Sequence, residues 1–169
     1  MLFRSNPAIP RYEGAGPYMH VPFQFSVHQW ENIDSEPLHF EFLHVESTDP
    51  RPTLIPALLK ACEGDGSIVA YFGKFETDRM VEMGKVFPQY QTALESLCQR
   101  IVDPLPLIRE HIYDKNFMGS FGLKAVVPAL LGVEQSYEGM VVANGEQAQR
   151  AYEEIINPLT SLARKEELI

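Results

Sequence analysis

The stretch GSIVAYFGKFETDRM, residues 66–80, decides how the sequence is interpreted, because it joins a short apolar run to an amphipathic segment. The run SIVAYF, residues 67–72, is typical of a strand that is covered on both faces. Apolar residues then recur at the spacing of one helical face as far as Phe87, which predicts a helix. Glu76 therefore stands just past the carboxyl end of a predicted strand, where α/β sheets collect functional residues.

Two interpretations of Glu76 fit this position. As a metal ligand, its carboxylate would be held by a rigid junction between a strand and a helix. As an acid of the first helical turn, it would interact with the helix dipole, by roughly 0.3–1 kcal/mol, and Asp78 fits that role equally well. Because acids are common in first turns, the local pattern by itself favours the second interpretation.

Two segments upstream alternate between apolar and polar residues. Residues 23–30 (FQFSVHQW) and residues 37–45 (PLHFEFLHV) both place apolar side chains on one face. This is the pattern of half-buried strands, and the linker ENIDSE between them predicts a turn, so the two strands are expected to be antiparallel neighbours. Residues 51–62 predict a helix that ends at the EGDG of residues 63–66.

Downstream, helical patterns alternate with one further short strand. Residues 90–101 and 121–131 carry apolar residues at helical spacing, and a third helix is predicted to begin after its cap, Asn144. The short strand RIV ends at Asp103. Two antiparallel strands, followed by strands that alternate with helices, predict a single α/β domain over residues 1–169, with a mixed β-sheet flanked by helices.

The composition limits the classes of function. A formal net charge of -9 argues against unaided binding to a phosphate backbone. Two cysteines, Cys62 and Cys98, are too few for a disulfide framework and have no metal-binding spacing. No basic-then-apolar leader pattern opens the sequence, and the longest apolar stretch, AVVPALLGV, is too short to cross a bilayer. These features predict a soluble cytoplasmic protein with no membrane partner.

Three other charged residues are candidates for the site. Asp103 precedes a proline, and this pairing predicts a helix cap; the alternative is a role in orienting the residues of a catalytic site. Lys74 and Lys124 are possible phosphate contacts, although exposed lysines are seldom so specific.

Four of the five histidines fall within the first 44 residues, which raises the possibility of a metal site. No acid or cysteine joins them at a ligand spacing, so solvent-facing histidines are the preferred interpretation. The four are His20, His28, His39 and His44.

Several uncommon strings, in the same order, resemble a bacterial family known only as domain of unknown function 2779. The likeness covers nearly the whole chain. Its strings are NPAIPRYEGAGPYMHVPFQFSVH (6–28), GSIVAYFGKFETDRM (66–80), FPQYQTALESLCQRIVDPLPLIREHIYD (87–114), GSFGLKAVVPALL (119–131) and YEGMVVANGEQAQRAY (137–152).

That family in turn is similar to the ribonuclease H-like fold, near the 3′–5′ exonucleases with four catalytic acids. The resemblance implies an Asp-x-Glu pair at the end of the first strand, a third acid after a Phe at a later strand–helix junction, and a fourth acid on a C-terminal helix. It also implies two divalent ions, Mg²⁺ or Mn²⁺, which prefer carboxylate ligands. Phe75-Glu76 matches the third position and makes Glu76 the expected catalytic residue and metal ligand.

The sequence departs from this pattern at both ends. The family carries Asp-Phe-Glu-Thr just before NPAIPRY, where this chain has MLFRS, and a Tyr-Cys-x-x-Asp-Thr string after a helix like AYEEIINPLT, which this chain does not reach. We therefore expect a fragment truncated at both ends, with a ribonuclease H-like sheet that lacks its first central strand. Strands 23–30 and 67–72 would then lose a shared neighbour and stability.

The expected function is the central part of a metal-dependent 3′–5′ exonuclease-like domain, inactive by itself. Mg²⁺ or Mn²⁺, nucleic acid and other domains of the same chain would be partners in the intact parent. The alternative is a non-catalytic module of a larger multidomain protein that binds nucleic acid or a protein. In such a binding module, bases would stack on aromatic side chains, namely Tyr12, Tyr18, Tyr71 and Phe72. A third interpretation is a structural scaffold.

Overall fold

The computed structural model describes residues 1–6, 11–32, 34–132 and 145–169. One sheet has three antiparallel strands in the order β1–β2–β3, and a second has two parallel strands, β4 and β5. The predicted α/β class, with antiparallel and parallel strands and helices, is therefore confirmed, but the strands form two sheets and not one mixed sheet. The strands are β1 (Leu2–Asn6), β2 (Val21–Gln29), β3 (Leu38–Leu43), β4 (Ile68–Val69) and β5 (Ile101–Val102).

Seven α-helices lie in the described part of the chain, and they follow the predicted helical segments closely. The predicted cap Asn144 is outside the described residues. None of the described helices has the length and apolar character needed to cross a membrane. The helices are α1 (Arg51–Ala61), α2 (Gly73–Val86), α3 (Gln91–Gln99), α4 (Pro104–His111), α5 (Leu123–Leu131), α6 (Gly145–Ile156) and α7 (Leu162–Leu168).

Strands β2 and β3 form the predicted antiparallel pair. Their register places Val27 opposite Phe40 and His28 opposite His39. Phe25 and Val27 are buried, whereas His28 is exposed, as the alternation of apolar and polar residues requires. The main core joins this buried face of β2 and Phe3 of β1 to helices α1, α2 and α3.

Strand β4 is shorter and less covered than the run SIVAYF predicted. Only Ile68 and Val69 belong to the strand, and Val69 is 56% exposed. The chain leaves the sheet at Phe72, whose φ of 59° is in the left-handed region, and α2 begins at Gly73. A continuous apolar run does not by itself determine strand length, because the backbone here turns early into a helix.

The expectation that the first strand is missing is wrong. Residues 2–6 form β1, which pairs with β2 with Leu2 opposite Ser26 and with an irregularity between Arg4 and Ser5. On its other side, the Met1 ammonium group donates a hydrogen bond of 2.8 Å to the carbonyl oxygen of Val69. Backbone groups pair regardless of side-chain charge, so a segment without acids still forms a strand beside β2.

A second, smaller cluster packs α6 against β2. The rings of Phe23 and Tyr152 are stacked with centroids 3.9 Å apart. Ala148, Ile156 and Leu43 complete the contact. Helix α6 therefore covers the end of β2 that lies beside β1.

Truncating Phe3 tests whether β1 is an integral strand. Phe3 is 3% exposed and belongs to the main core. We expect Phe3→Ala to lower the free energy of unfolding by about 3–5 kcal/mol, measured by urea titration. The exposed Leu107→Ala is the control and should change it by less than about 0.5 kcal/mol. Equal, small effects of both substitutions would show that β1 is not part of the folded core.

Candidate functional site

Glu76 projects from the first turn of α2 into the protein and not into solvent. Its side chain is 2% exposed. Its Oε1 accepts a hydrogen bond of 3.2 Å from the backbone N–H of Phe3. Met1 and Phe3 direct their backbone nitrogen atoms to the same side of β1. The Met1 ammonium group reaches the carbonyl of Val69, the last residue of β4, so the Phe3 N–H lies beyond the end of that strand. The Glu76 carboxyl takes the place of a strand partner.

Burial dominates the electrostatics of Glu76. Removal from water raises the pKa of its carboxyl from 4.5 to about 7. The Phe3 N–H, the Met1 ammonium group, Arg79 and Arg4 act in the opposite direction, in that order. Within the described residues, Oε2 of Glu76 has no hydrogen-bond partner. The group therefore exchanges a proton near neutral pH.

Arg79, three residues further along α2, forms the second buried charge of this region. It is 8% exposed and donates a 2.7 Å hydrogen bond to Oε1 of Glu82. Its guanidinium also lies over the ring of Phe75, 5.0 Å from the centroid. Among the described atoms, Nε of Arg79 and Oε2 of Glu82 have no partner. Arg79 stands three residues after Glu76, a spacing that places both side chains on one face of a helix. This spacing is the pattern in the sequence that could have indicated Arg79.

His20, the residue directly before β2, packs against Phe75 in the same region as Arg79. Its ring meets Phe75 edge-on, with centroids 5.7 Å apart, and its Nδ1 lies 3.0 Å from Oγ of Ser5. Burial lowers the pKa of His20, and the positive charge of Arg79 lowers it further. No local pattern in the sequence indicates this contact, since Ser5 and Phe75 lie 15 and 55 positions from His20 in the chain.

The residues around Glu76 do not fit a pair of divalent metal ions. No group of three or more His, Cys, Asp or Glu side chains in the described residues is placed to hold a metal. The charged groups that act on Glu76 are positive, namely the Met1 ammonium, Arg79 and Arg4. Mg²⁺ and Mn²⁺ need several oxygen ligands, and one carboxyl among cations does not supply them.

Asp103 acts as the predicted helix cap, and for two helices. One carboxylate oxygen accepts the N–H groups of Leu105 in α4 and Phe72 before α2, and the other accepts the N–H of Gly73, each at 2.9 Å. A side chain at Gly73 would meet Ile101 at 2.8 Å, so α2 starts directly against β5. The carboxylate of Asp103 is thus occupied by backbone donors.

Neither lysine candidate is seen in contact with Glu76. Lys74 forms a 2.8 Å ion pair with Asp78, and its side chain is 73% exposed. Positions 74 and 76 of a helix point in different directions, so Lys74 lies away from the buried Glu76. Lys124 is exposed on the first turn of α5. The structure does not bring these two lysines and Glu76 into one cluster.

The prediction of solvent-facing histidines holds for two positions, holds only in part for His20 and is wrong for His44. His28 and His39 are exposed on the hairpin with stacked rings, and His20 is half-buried. His44 is 6% exposed, and its ring nitrogens lie near Oγ1 of Thr48, at 3.2 Å, and the Tyr152 hydroxyl, at 3.4 Å. Burial of His44 depends on α6, which is remote in sequence.

The raised pKa of Glu76 predicts a pH-dependent stability. The folded chain keeps this proton up to about pH 7, while the unfolded chain loses it near pH 4.5, so unfolding becomes easier as pH rises through this window. Relative to Glu76→Gln, the wild type should lose about 3 kcal/mol of unfolding free energy across it. Urea titrations at a series of pH values measure the difference.

Burial also lowers the pKa values of His20 and His44, but both proteins share these histidines, so the difference isolates Glu76. Asp78→Asn, which removes an exposed carboxylate, is the matched control and should leave the pH dependence unchanged. Parallel curves for wild type and Glu76→Gln would contradict the burial of an ionisable group.

Substitution of Asp103 tests the double cap. Asp103→Ala leaves three N–H groups without their acceptor and should destabilise the fold by about 2 kcal/mol. Asp114→Ala removes a carboxylate that accepts from Asn116 and should cost less than about 1 kcal/mol. Urea titration compares the two, and an equal loss would argue against a special role for Asp103.

Comparison with known proteins gives one match. A sequence profile of the family described as Domain of unknown function (DUF2779) matches residues 4–122. No curated protein and no solved structure matches the chain. Because the matched residues make up more than half of the chain, this protein belongs to the DUF2779 family.

Proposed function

We propose that the chain forms the core of a single ribonuclease H-like domain of the 3′–5′ exonuclease kind, over residues 1–169, and that it does not cleave phosphodiesters by itself. Catalysis would belong to a form of the protein that carries the further acids. In that form Glu76 is the third metal ligand, Mg²⁺ or Mn²⁺ is the cofactor and nucleic acid is the substrate, with other domains of the chain as partners.

One observation carries the proposal: the hydrogen bond between Phe3 and Glu76. The exonuclease pattern needs the acids of the first strand close to the third acid, although they are far apart in sequence. Here Phe3, the second residue of β1, is in direct contact with Glu76. The pairing of β1 with β2 and the bond from the Met1 ammonium group to Val69 of β4 also support the proposal, because the first strand of a ribonuclease H-like sheet has a neighbour on each side.

The residues of β1 account for the proposed lack of activity. The four residues directly before Asn6 are Leu2, Phe3, Arg4 and Ser5, where the family pattern has Asp, Phe, Glu and Thr. Arg4 thus stands at the place of an acid and adds a positive charge near Glu76. A cation at this place opposes binding of Mg²⁺ instead of supporting it.

Two further parts of the proposal concern location and phosphate contact. Both cysteines are free thiols, which supports a reducing compartment such as the cytoplasm. Lys74 and Lys124 are both exposed and remain candidate contacts for a phosphate backbone. Each would act from the rim of the domain, since the structure does not place them beside Glu76.

A second candidate function is a non-catalytic binding module. A groove of 520 Å³ is lined by aromatic and aliphatic side chains together with Arg109. Phe72 at its edge is 54% exposed, and the Arg109 guanidinium lies 5.7 Å from the centroid of the Phe121 ring. Exposed aromatic faces next to an arginine suit the stacking of unpaired bases. The net charge of -9 weakens this candidate unless the contact is local.

Restoring the two acids tests the proposed position of Glu76. We expect the double variant Leu2→Asp, Arg4→Glu to bind Mn²⁺ at least about tenfold more tightly than the wild type, by calorimetric titration. The neutral double variant Leu2→Asn, Arg4→Gln is the matched control. Adding Glu76→Gln to the acidic variant should remove the gain, because the site then loses its third carboxylate.

The outcomes separate the two candidate functions. A gain that survives Glu76→Gln, or no gain over the neutral control, would overturn the assignment of Glu76 to a metal site. A single-stranded oligonucleotide titrated into the wild type without metal tests the binding module. Salt-sensitive binding that Phe72→Ala weakens would favour that module over the nuclease core.

A further inference from the structure

Two histidine side chains lie next to each other on the outer face of the β2–β3 hairpin. The register places His28 directly opposite His39, and both residues are exposed. Their rings are stacked, with centroids 4.3 Å apart and an interplanar angle of 10°. Phe25 and Val27, on the other face of β2, belong to the main core. Because side chains alternate along a strand, the two imidazoles face away from that core.

The backbone pairing of the hairpin holds these side chains close together. Opposite residues in an antiparallel pair alternate between hydrogen-bonded and non-hydrogen-bonded positions, and side chains are closer in the second kind. His44 donates its N–H to the carbonyl oxygen of Phe23, so Phe23 and every second residue after it along β2 take the hydrogen-bonded kind. His28 falls between these residues. Its Cβ atom is therefore about 4.5–5.5 Å from that of His39, on two strands of one sheet.

A serine on the same face supports one of the two rings. Nε2 of His39 lies 2.9 Å from Oγ of Ser26. A neutral imidazole has one N–H and one nitrogen with a free lone pair. When Nε2 of His39 donates its N–H to Ser26, Nδ1 keeps the lone pair that a metal ion needs. Histidines that bind metals ordinarily have such a hydrogen bond at the other ring nitrogen, because it fixes the tautomer and the orientation of the ring.

Only side-chain rotation separates the stacked pair from a chelating pair. Two imidazole nitrogens on one ion, each about 2.0–2.1 Å from it, are about 3.0–3.4 Å from each other. The ring centroids of His28 and His39 are already 4.3 Å apart. The rings must turn until the plane of each contains the ion. Because both rings are exposed and the χ2 torsion of histidine is broad, this turn needs no movement of the backbone.

The ligand atoms and the local charge define the class of ion. Imidazole nitrogens suit Ni²⁺, Cu²⁺ and Zn²⁺, whereas Mg²⁺ prefers oxygen ligands. Glu41 stands opposite Ser26, on the same face of the hairpin, and is exposed. Its negative charge, together with the net charge of -9, favours the approach of a cation. Two protein ligands leave the other coordination positions of the ion open to water.

We propose that His28 and His39 together bind one divalent transition-metal ion of the Ni²⁺, Cu²⁺ and Zn²⁺ class on the outer face of the β2–β3 hairpin, with water as the remaining ligands. Affinity follows the usual order for nitrogen sites, in which Cu²⁺ exceeds both Ni²⁺ and Zn²⁺. The site shares no residue with the region around Glu76 and takes a different class of ion. It therefore does not rest on the proposed nuclease function.

The test titrates Ni²⁺ into the chain and follows the fluorescence of Trp30, the only tryptophan. The Trp30 ring lies 6.0 Å from the His28 ring, centroid to centroid, so an ion with unpaired electrons at His28 should quench it. Ni²⁺ is preferred to Cu²⁺ as the probe because Cu²⁺ oxidises thiols and Cys98 is a free, partly buried cysteine. We expect saturable quenching with one ion per chain, and no quenching by Mg²⁺.

Single substitutions separate chelation by the pair from binding to isolated histidines. His28→Asn and His39→Asn should each weaken Ni²⁺ binding at least about tenfold, because one imidazole alone does not chelate. His111→Asn, which removes an exposed histidine on α4, is the matched control and should leave binding unchanged. Calorimetric titration measures the same constants without relying on Trp30. The absence of saturable binding, unchanged affinity in either pair variant, or an equal loss in the control would overturn the proposal.

Discussion

The hydrogen bond from the Phe3 N–H to the buried Glu76 carboxyl connects strand β1 to the first turn of helix α2. Strand β4 ends at Val69, so β1 continues past its neighbour with a backbone donor that has no strand partner. A carboxyl at the start of α2 satisfies that donor. Strand β1 and helix α2 are thereby joined at a point where α/β proteins ordinarily place catalytic residues.

The same contact explains why this region is electrostatically unusual. A buried carboxylate is expensive in free energy unless cations or hydrogen-bond donors compensate it. Here Arg4, Arg79 and the Met1 ammonium supply positive charge, but burial still raises the pKa of the Glu76 carboxyl enough for it to hold a proton near neutral pH. The charge of the Glu76 carboxyl is thus offset within the protein by these positive groups and by the proton.

The sequence predicted the elements whose signals are local. The alternation in residues 23–30 and 37–45 predicted the β2–β3 hairpin, and Asp103 before Pro104 predicted a helix cap. What it missed depends on contacts between distant residues. Burial of Glu76 requires Phe3, 73 positions away, and burial of His44 requires Tyr152, 108 positions away. The length of β4 was also predicted wrongly, because the apolar run continues through Phe72 while the strand ends at Val69.

The remote partners of β1 have a consequence for biosynthesis. Residues 1–6 are translated before β4 and α2, and the contacts of Met1 with Val69 and of Phe3 with Glu76 span 68 and 73 positions. Until α2 has emerged, one side of the first strand has no partner in the nascent chain. That edge is a template for intermolecular pairing, and it makes the time between translation of β1 and of α2 the period when the chain is most exposed to aggregation.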